Sequence, residues 1–315
     1  MLQTADMTSA AIPSTAPTAV RSPYTSDLLL LVVPGVIWGA SFLFIAEGLR
    51  AVSPHGVAFA RILAGFLTLA MFPAARRPIA AAAWPRIALL SVLWLALPLT
   101  LFPFAEQRIS SALAGMLNGA VPLFATAVAT IIARKAPSRA VMVGLLVGMF
   151  GVLLVALPQL GGASAPGSAT GVLLVFAALI AYGISINLAR PLQMEYGALP
   201  VLARTLGLAV VLTAPLGLPD VLRAHWAPVP LLSLIALGSL GTGVAYVLST
   251  TAAGRLGAAR ASSTIFISAP VALLLGAIVL GERVDAVSIV GAVVCILGAM
   301  IIRREPAQTG PSRPG

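Results

Sequence analysis

Charge is what this 315-residue chain has least of. Only 9% of its residues are Asp, Glu, Lys or Arg, against about 25% in a soluble globular domain, so water is not its main solvent. Cysteine is almost missing: the single Cys295 excludes an internal disulfide framework and cannot make a metal cluster. Its place inside an apolar run makes it a small packing residue. Histidine occurs twice, as His55 and His225, both in expected loops, which argues against the clustered mid-depth groups an intramembrane enzyme needs. A Gly-rich loop ending in Lys-Ser/Thr is absent, so ATP hydrolysis is not supported. Acidic residues number nine against nineteen basic ones, a formal net charge of +10. The basic residues fall between apolar runs and form no continuous stripe, so no nucleic acid is expected as a partner.

What the chain has is hydrophobicity: 59% of residues are apolar and the mean hydropathy is +1.04. Apolar runs of about 20 residues, long enough to cross a hydrocarbon core of roughly 30 Å as helices, recur from residue 28 to residue 302. They lack the alternation of membrane barrel strands. The expected fold is an all-α integral membrane protein. Pro, Gly, Arg and polar clusters divide it into ten expected transmembrane helices, at 28–46, 56–73, 87–104, 110–132, 140–157, 171–189, 198–217, 229–248, 262–280 and 286–302. The turn between the third and fourth is marked only by AEQRISS. Residues 1–26 are rich in Ser, Thr, Ala and Pro, with no basic residue before Arg21. They lack the pattern of a cleaved signal and are expected to form a disordered tail. Residues 304–315 are expected to be a second tail.

Orientation follows from Lys and Arg outside the spans. With the N-terminus in the cytoplasm, the inner segments hold thirteen of them and the outer segments four, namely Arg50, Arg108, Arg223 and Arg283. Both termini are therefore expected inside, in a multi-pass protein of the cytoplasmic (inner) membrane of the cell. The two basic residues left over, Arg61 in GVAFARILAGF and Arg204 in PVLARTLGLAV, stand within apolar runs.

The chain is also written twice. IWGASF (37–42) resembles AYGISI (181–186), and FARILAG (59–65) resembles LARTLGL (202–208). AEQRISSALAGMLNGAVP (105–122) runs against AGRLGAARASSTIFISAP (253–270), and Gly144 and Gly151 match Gly291 and Gly298. The offsets, 144, 143, 148 and 147, stay nearly constant over more than a hundred residues, as expected of a duplication. The expected division is 27–157 for the first repeat, 158–170 for a linker and 171–303 for the second. Five spans is an odd number, so the second copy enters the membrane from the opposite side. The result is two inverted five-helix repeats with a site between them near the midplane.

This pattern resembles the EamA-type family of the drug/metabolite transporter superfamily. The resemblance is carried by IWGASFLF, Arg61, AEQRISSALAGMLNGAVPLF, LGSLGTGVAYVLSTTAAGRLGAA and PVALLLGAIVLGE with Glu282, and covers residues 28–302. It implies ten helices in two five-helix repeats. It also implies transport of small metabolites or drugs through a cavity lined by helices 1–4 and 6–9, with helices 5 and 10 peripheral. Three departures stand out. Lys135 replaces a usual Glu, Pro270 and Glu282 are one residue closer than Pro122 and Lys135, and Tyr182 takes the place matching Trp38.

Several residues are candidates for such a cavity. A charge at a helix centre costs at least about 2.5 kcal/mol on insertion scales, so Arg61 and Arg204 are expected either to line a wet cavity or to snorkel and brace helices. Asn118 stands four residues before Pro122, which frees the Asn118 carbonyl and makes a polar spot. Trp38, Tyr182 and Tyr246 are candidate cavity walls, and Asn187, Thr242 and Ser41 candidate polar contacts. Trp84, Trp94 and Trp226 are assigned to an interfacial belt or to packing. Glu106 is a candidate for proton coupling, Glu47 a loop charge beside Arg50, and Glu282 a cap or surface ion pair. The helix 5 and 10 glycines suit close packing.

The expected function is a secondary transporter that moves a small organic metabolite or drug by alternating access, with proton coupling through Glu106. A non-transporting receptor or scaffold and an intramembrane enzyme are the alternatives. No cofactor or metal is expected. The partners are a small-molecule substrate and the lipid bilayer, and the chain is a monomer or a homodimer.

Overall fold

The computed structural model describes residues 23–134, 136–160, 167–256 and 264–303. The expectations for residues 1–22, Lys135, residues 161–166, residues 257–263 (Arg260 and the expected start of the ninth helix) and the tail 304–315 therefore lie outside the described residues. Among the described residues there is no strand. The helical stretches are α1 (Pro23–Gly48), α2 (Pro54–Ala70), α3 (Ala81–Glu106), α4 (Ser111–Ala133), α5 (Arg139–Leu160), α6 (Ser168–Tyr196), α7 (Ala198–Arg223), α8 (Pro228–Leu256), α9 (Thr264–Val279) and α10 (Ala286–Arg303). Seven of them, α1 and α3 to α8, are long and apolar enough to cross a membrane. The other three, α2, α9 and α10, are apolar but shorter.

The helix ends follow local chemistry. α1 starts at Pro23, before the expected start at 28 and inside the stretch 1–26 expected to be a disordered tail, so residues 23–26 are helix instead; proline suits the first helical turn, where its missing N–H costs nothing. α3 and α4 separate at residues 107–110, inside AEQRISS. Ser110 accepts from the Leu113 N–H at 3.2 Å and so caps α4. Glu282 caps the same helix from the far half of the chain, its carboxylate accepting from the N–H groups of Ser111 at 2.8 Å and Ala112 at 2.9 Å. An acid there also meets the positive end of the helix dipole. Asp220 does the same for α2, accepting from the Ser53 N–H at 2.9 Å. Within α4 the helix opens at Gly119 and Ala120, just before Pro122, which has no N–H to give the Asn118 carbonyl.

Two of the long helices contain a π-helical stretch, Ser91–Ala96 in α3 and Ser239–Val244 in α8. The two stretches stand 148 residues apart, the offset that relates residues 105–122 to 253–270. Packing repeats in the same way. α1 lies on α8 and α9, as α6 lies on α3 and α4; α2 touches α8, as α7 touches α3. The pairs α2–α7, α4–α9 and α5–α10 each join an element to its own counterpart.

The α5–α10 pair shows how the sequence drives packing. A Cβ on Gly151 would fall 2.3 Å from the Cys295 nitrogen, and one on Gly298 would fall 2.3 Å from the Gly148 nitrogen. Only hydrogen fits there, so the two backbones touch. Ser288 adds a hydrogen bond to the Val155 carbonyl at 3.0 Å. The opposite face of α5 carries Leu146, Phe150, Leu153 and Leu157, all exposed and spaced as one helical stripe, the surface a bilayer covers.

Candidate functional site

Between the two halves lies a cavity of about 210 Å³. α1 contributes Trp38, Ser41 and Phe42, α2 Arg61, α3 Trp94 and Phe102, α4 Asn118, α6 Tyr182, and α8 Thr242 and Tyr246. Among the described residues, α5 and α10 contribute none to the lining. Seven of the nine expected cavity residues therefore share one space: Trp38, Ser41, Arg61, Asn118, Tyr182, Thr242 and Tyr246.

Among the described residues that line the cavity, Arg61 carries the single formal charge. The side chain comes from the middle of α2 and is 9% exposed. It is held because α2 and α8 approach closely: a Cβ on Gly65 would stand 2.7 Å from that of Thr242, and one on Gly238 would stand 2.6 Å from the Arg61 carbonyl. At that distance the Arg61 Nε donates to the Thr242 Oγ1 at 3.1 Å. Guanidinium has five N–H donors, and among the described residues this is the only side-chain hydrogen bond Arg61 makes. The terminal nitrogens therefore face the cavity with donors to spare.

Aromatic rings form the rest of the wall. Tyr246 stands edge-on to Trp38, with ring centroids 5.5 Å apart, and to Trp94 at 5.9 Å. Phe102 stacks on Tyr182 at 6.2 Å and meets Phe42 edge-on at 5.6 Å. The Trp38 indole N–H is used up, donating to the Gly241 carbonyl of the α8 π stretch at 2.9 Å. Ser41 donates back to the Ile37 carbonyl at 3.1 Å, so its hydroxyl oxygen stays free to accept. The Asn118 side chain makes no hydrogen bond to the described residues. Arg61, Asn118 and the tyrosine hydroxyls thus give an otherwise apolar space a few polar groups, the usual composition of a small-molecule site.

Two expected cavity residues are elsewhere. Asn187 donates to the Ala125 carbonyl of α4 and to the Gly183 carbonyl of its own helix, both at 2.9 Å, and clamps α6 to α4. Arg204 donates to the carbonyls of Ala75, of Arg76 at 3.2 Å and of Arg77 at 2.9 Å. It braces the segment after α2 and lines a separate pocket. In both cases backbone carbonyls within reach take the donors, those of Ala125 and Gly183 inside helices and those of residues 75–77 in the segment after α2. One assignment is corrected in the other direction. Trp94, placed with belt and packing residues, is 7% exposed and forms cavity wall, whereas Trp84 and Trp226 are 42% and 38% exposed. The signal was present in the sequence: 94 and 242 differ by the 148-residue offset, so Trp94 is the counterpart of Thr242.

Glu106, at the end of α3, is the remaining candidate. Both carboxylate oxygens are shut off from solvent without a hydrogen-bond partner among the described residues, and Arg61 and Glu282 are its charged neighbours. Glu47 pairs with Arg50 at 3.0 Å on the surface, and Glu282 is committed to the start of α4.

The EamA-like transporter family model matches the chain twice, over residues 25–157 and 169–304. A curated relative from Streptantibioticus cattleyicolor, named "Probable terminal-alkyne amino-acid exporter", is 27% identical over 280 residues, covering 87% of this chain and 92% of its own length. The "Uncharacterized transporter YdfC" of Bacillus subtilis is 25% identical over 268 residues, with 83% and 86% covered. A crystal structure described only as that of a protein superposes with a TM-score of 0.58 at 17% identity, over 89% of this chain and 96% of that one, a likeness of fold alone.

Proposed function

Because the chain belongs to the EamA-like transporter family and is a multi-pass membrane transporter, we propose that it moves a small organic solute by alternating access, as a secondary transporter in the cytoplasmic membrane. In this reading α2, α9 and α10 also cross the bilayer. Ten spans then form two inverted halves, with both termini in the cytoplasm. The paired π stretches and the packing pattern that recurs five helices on support that reading. Two like halves in opposite orientations have two shapes of similar energy, each open to one side.

The carrying observation is the Arg61 guanidinium, tied by Nε to Thr242 and otherwise undersupplied with acceptors inside an aromatic cavity. A cation costs several kcal/mol to hold there unless something anionic or strongly accepting meets it. The proposed substrate therefore carries a carboxylate or similar group for Arg61 and an apolar or flat body for the rings of Trp38, Trp94 and Tyr246. About 210 Å³ is below the roughly 300–1,000 Å³ of drug-sized ligand sites, in keeping with a small metabolite. The name of the Streptantibioticus relative, an amino-acid exporter, agrees with this chemistry. Glu106 is the proposed proton site, because a buried acid without partners is costly as a carboxylate and tolerable as a neutral acid.

Proteoliposomes test the reading. Purified protein is expected to exchange one class of small carboxylate across the membrane, and an imposed pH gradient is expected to drive its accumulation. Glu106→Gln should abolish the response to the gradient while leaving exchange at equal pH. Absence of exchange across a panel of amino acids and monocarboxylates contradicts the substrate assignment, and a pH response retained in Glu106→Gln contradicts the proton assignment.

A further inference from the structure

A second pocket, of about 380 Å³, lies between the end of α2, the start of α3 and α7. Arg76, Arg204 and Trp84 line it together with Phe66, Gly207 and Leu208. None of the described residues lining it is acidic, so two guanidinium groups line it without a counter-charge among them. Arg204 spends three N–H groups on the carbonyls of Ala75, Arg76 and Arg77 and keeps two, Nε and one at Nη1. Arg76 gives its Nε to the Ala70 carbonyl at 2.9 Å. Its terminal nitrogens have no partner among the described residues.

We propose that this pocket holds a phosphate-bearing anion, and that its source is the headgroup of an anionic membrane lipid. Arginine forks fit phosphate oxygens, two at a time. Position favours a lipid over free phosphate. The pocket lies where two apolar helices end, beside the 42%-exposed Trp84, the kind of side chain that sits at headgroup level. Its apolar lining continues onto exposed Leu67 of α2 and Val211 and Leu212 of α7, which follow Leu208 by one helical turn and form a path for an acyl chain. Free phosphate would use only the cationic end of the pocket.

The test compares lipids on the purified full-length chain in detergent. Native mass spectrometry counts retained dioleoylphosphatidylglycerol against dioleoylphosphatidylcholine, and thermal unfolding is followed with each lipid and with inorganic phosphate. Phosphatidylglycerol is expected to be retained more tightly and to raise the unfolding temperature. Arg76→Glu, at an exposed side chain, is expected to keep the unfolding temperature without lipid and to weaken phosphatidylglycerol about fivefold or more. Arg204→Ala is expected to remove the preference as well. Equal retention of the two lipids, or a preference unchanged in Arg76→Glu, overturns the site. Stabilisation by inorganic phosphate equal to that by phosphatidylglycerol overturns the lipid as its source.

Discussion

Arg61 and Arg204 occupy matching places in the two halves, in FARILAG and LARTLGL, 143 residues apart, yet they end in different surroundings. Arg61 points into the aromatic cavity and holds one hydroxyl; Arg204 points at three backbone carbonyls near a helix end. What stands opposite decides the difference. α2 faces the π stretch of α8, which presents Thr242, an acceptor for Nε. α7 faces the π stretch of α3, which presents Trp94 at the equivalent position. An indole N–H donates and cannot accept, and Trp94 lines the first cavity rather than the pocket of Arg204, whose guanidinium is bonded to the backbone after α2. The repeat keeps the arginine but not its partner: Thr242 in the second half corresponds to Trp94 in the first.

The largest expected break in this comparison comes from Arg61→Ala. Charge-assisted hydrogen bonds to a bound group contribute about 1.5–3 kcal/mol, so flux in proteoliposomes should fall roughly tenfold to a hundredfold while membrane insertion stays normal. Unchanged flux would make Arg61 a packing residue like its counterpart. Thr242→Val keeps shape but removes the acceptor for Nε. Loss of one such bond, about 1 kcal/mol, should raise the substrate concentration for half-maximal flux severalfold with little change in maximal rate. Arg204→Ala should have the smallest effect on transport, less than about twofold. Its readout is stability: the unfolding midpoint should drop, because three carbonyls lose their donor, at about 1 kcal/mol each at most on a partly exposed surface. Loss of transport in Arg204→Ala without loss of stability would erase the contrast between the two arginines.

The membrane helices were legible because hydropathy and length are local properties, and the internal offsets were legible because repetition needs no geometry. The glycines of α5 and α10 also declared themselves, since their spacing only makes sense against a second helix at backbone contact. The cavity was legible as far as repeat equivalence and mid-span position reach, which covers Trp38, Tyr182 and Arg61. It failed at Asn187 and Arg204, whose partners are carbonyls of Ala125 and of residues 75–77. Which carbonyls come within reach of a side chain depends on how the helices pack and end, which no local pattern displays. For Trp94 the local pattern reached packing, which the buried cluster with Leu95, Leu99 and Leu202 bears out, but missed that the same ring lines the cavity, because an amphipathic ring reads the same whether it meets headgroups or a cavity. Glu282 was legible only as a cap or surface charge, and its target, the start of α4 on the other half, is a tertiary fact.

The central claim is that a water-reachable, solute-binding chamber surrounds Arg61. Ser41 lines that chamber, and the one native thiol, Cys295, is buried against α5. In a Cys295→Ala background, Ser41→Cys is expected to react with a small water-soluble thiol reagent, and the transported carboxylate is expected to slow that reaction. The same protection should vanish when Arg61→Ala is added. A thiol at position 41 that never reacts, or that reacts equally with and without solute, would contradict the account.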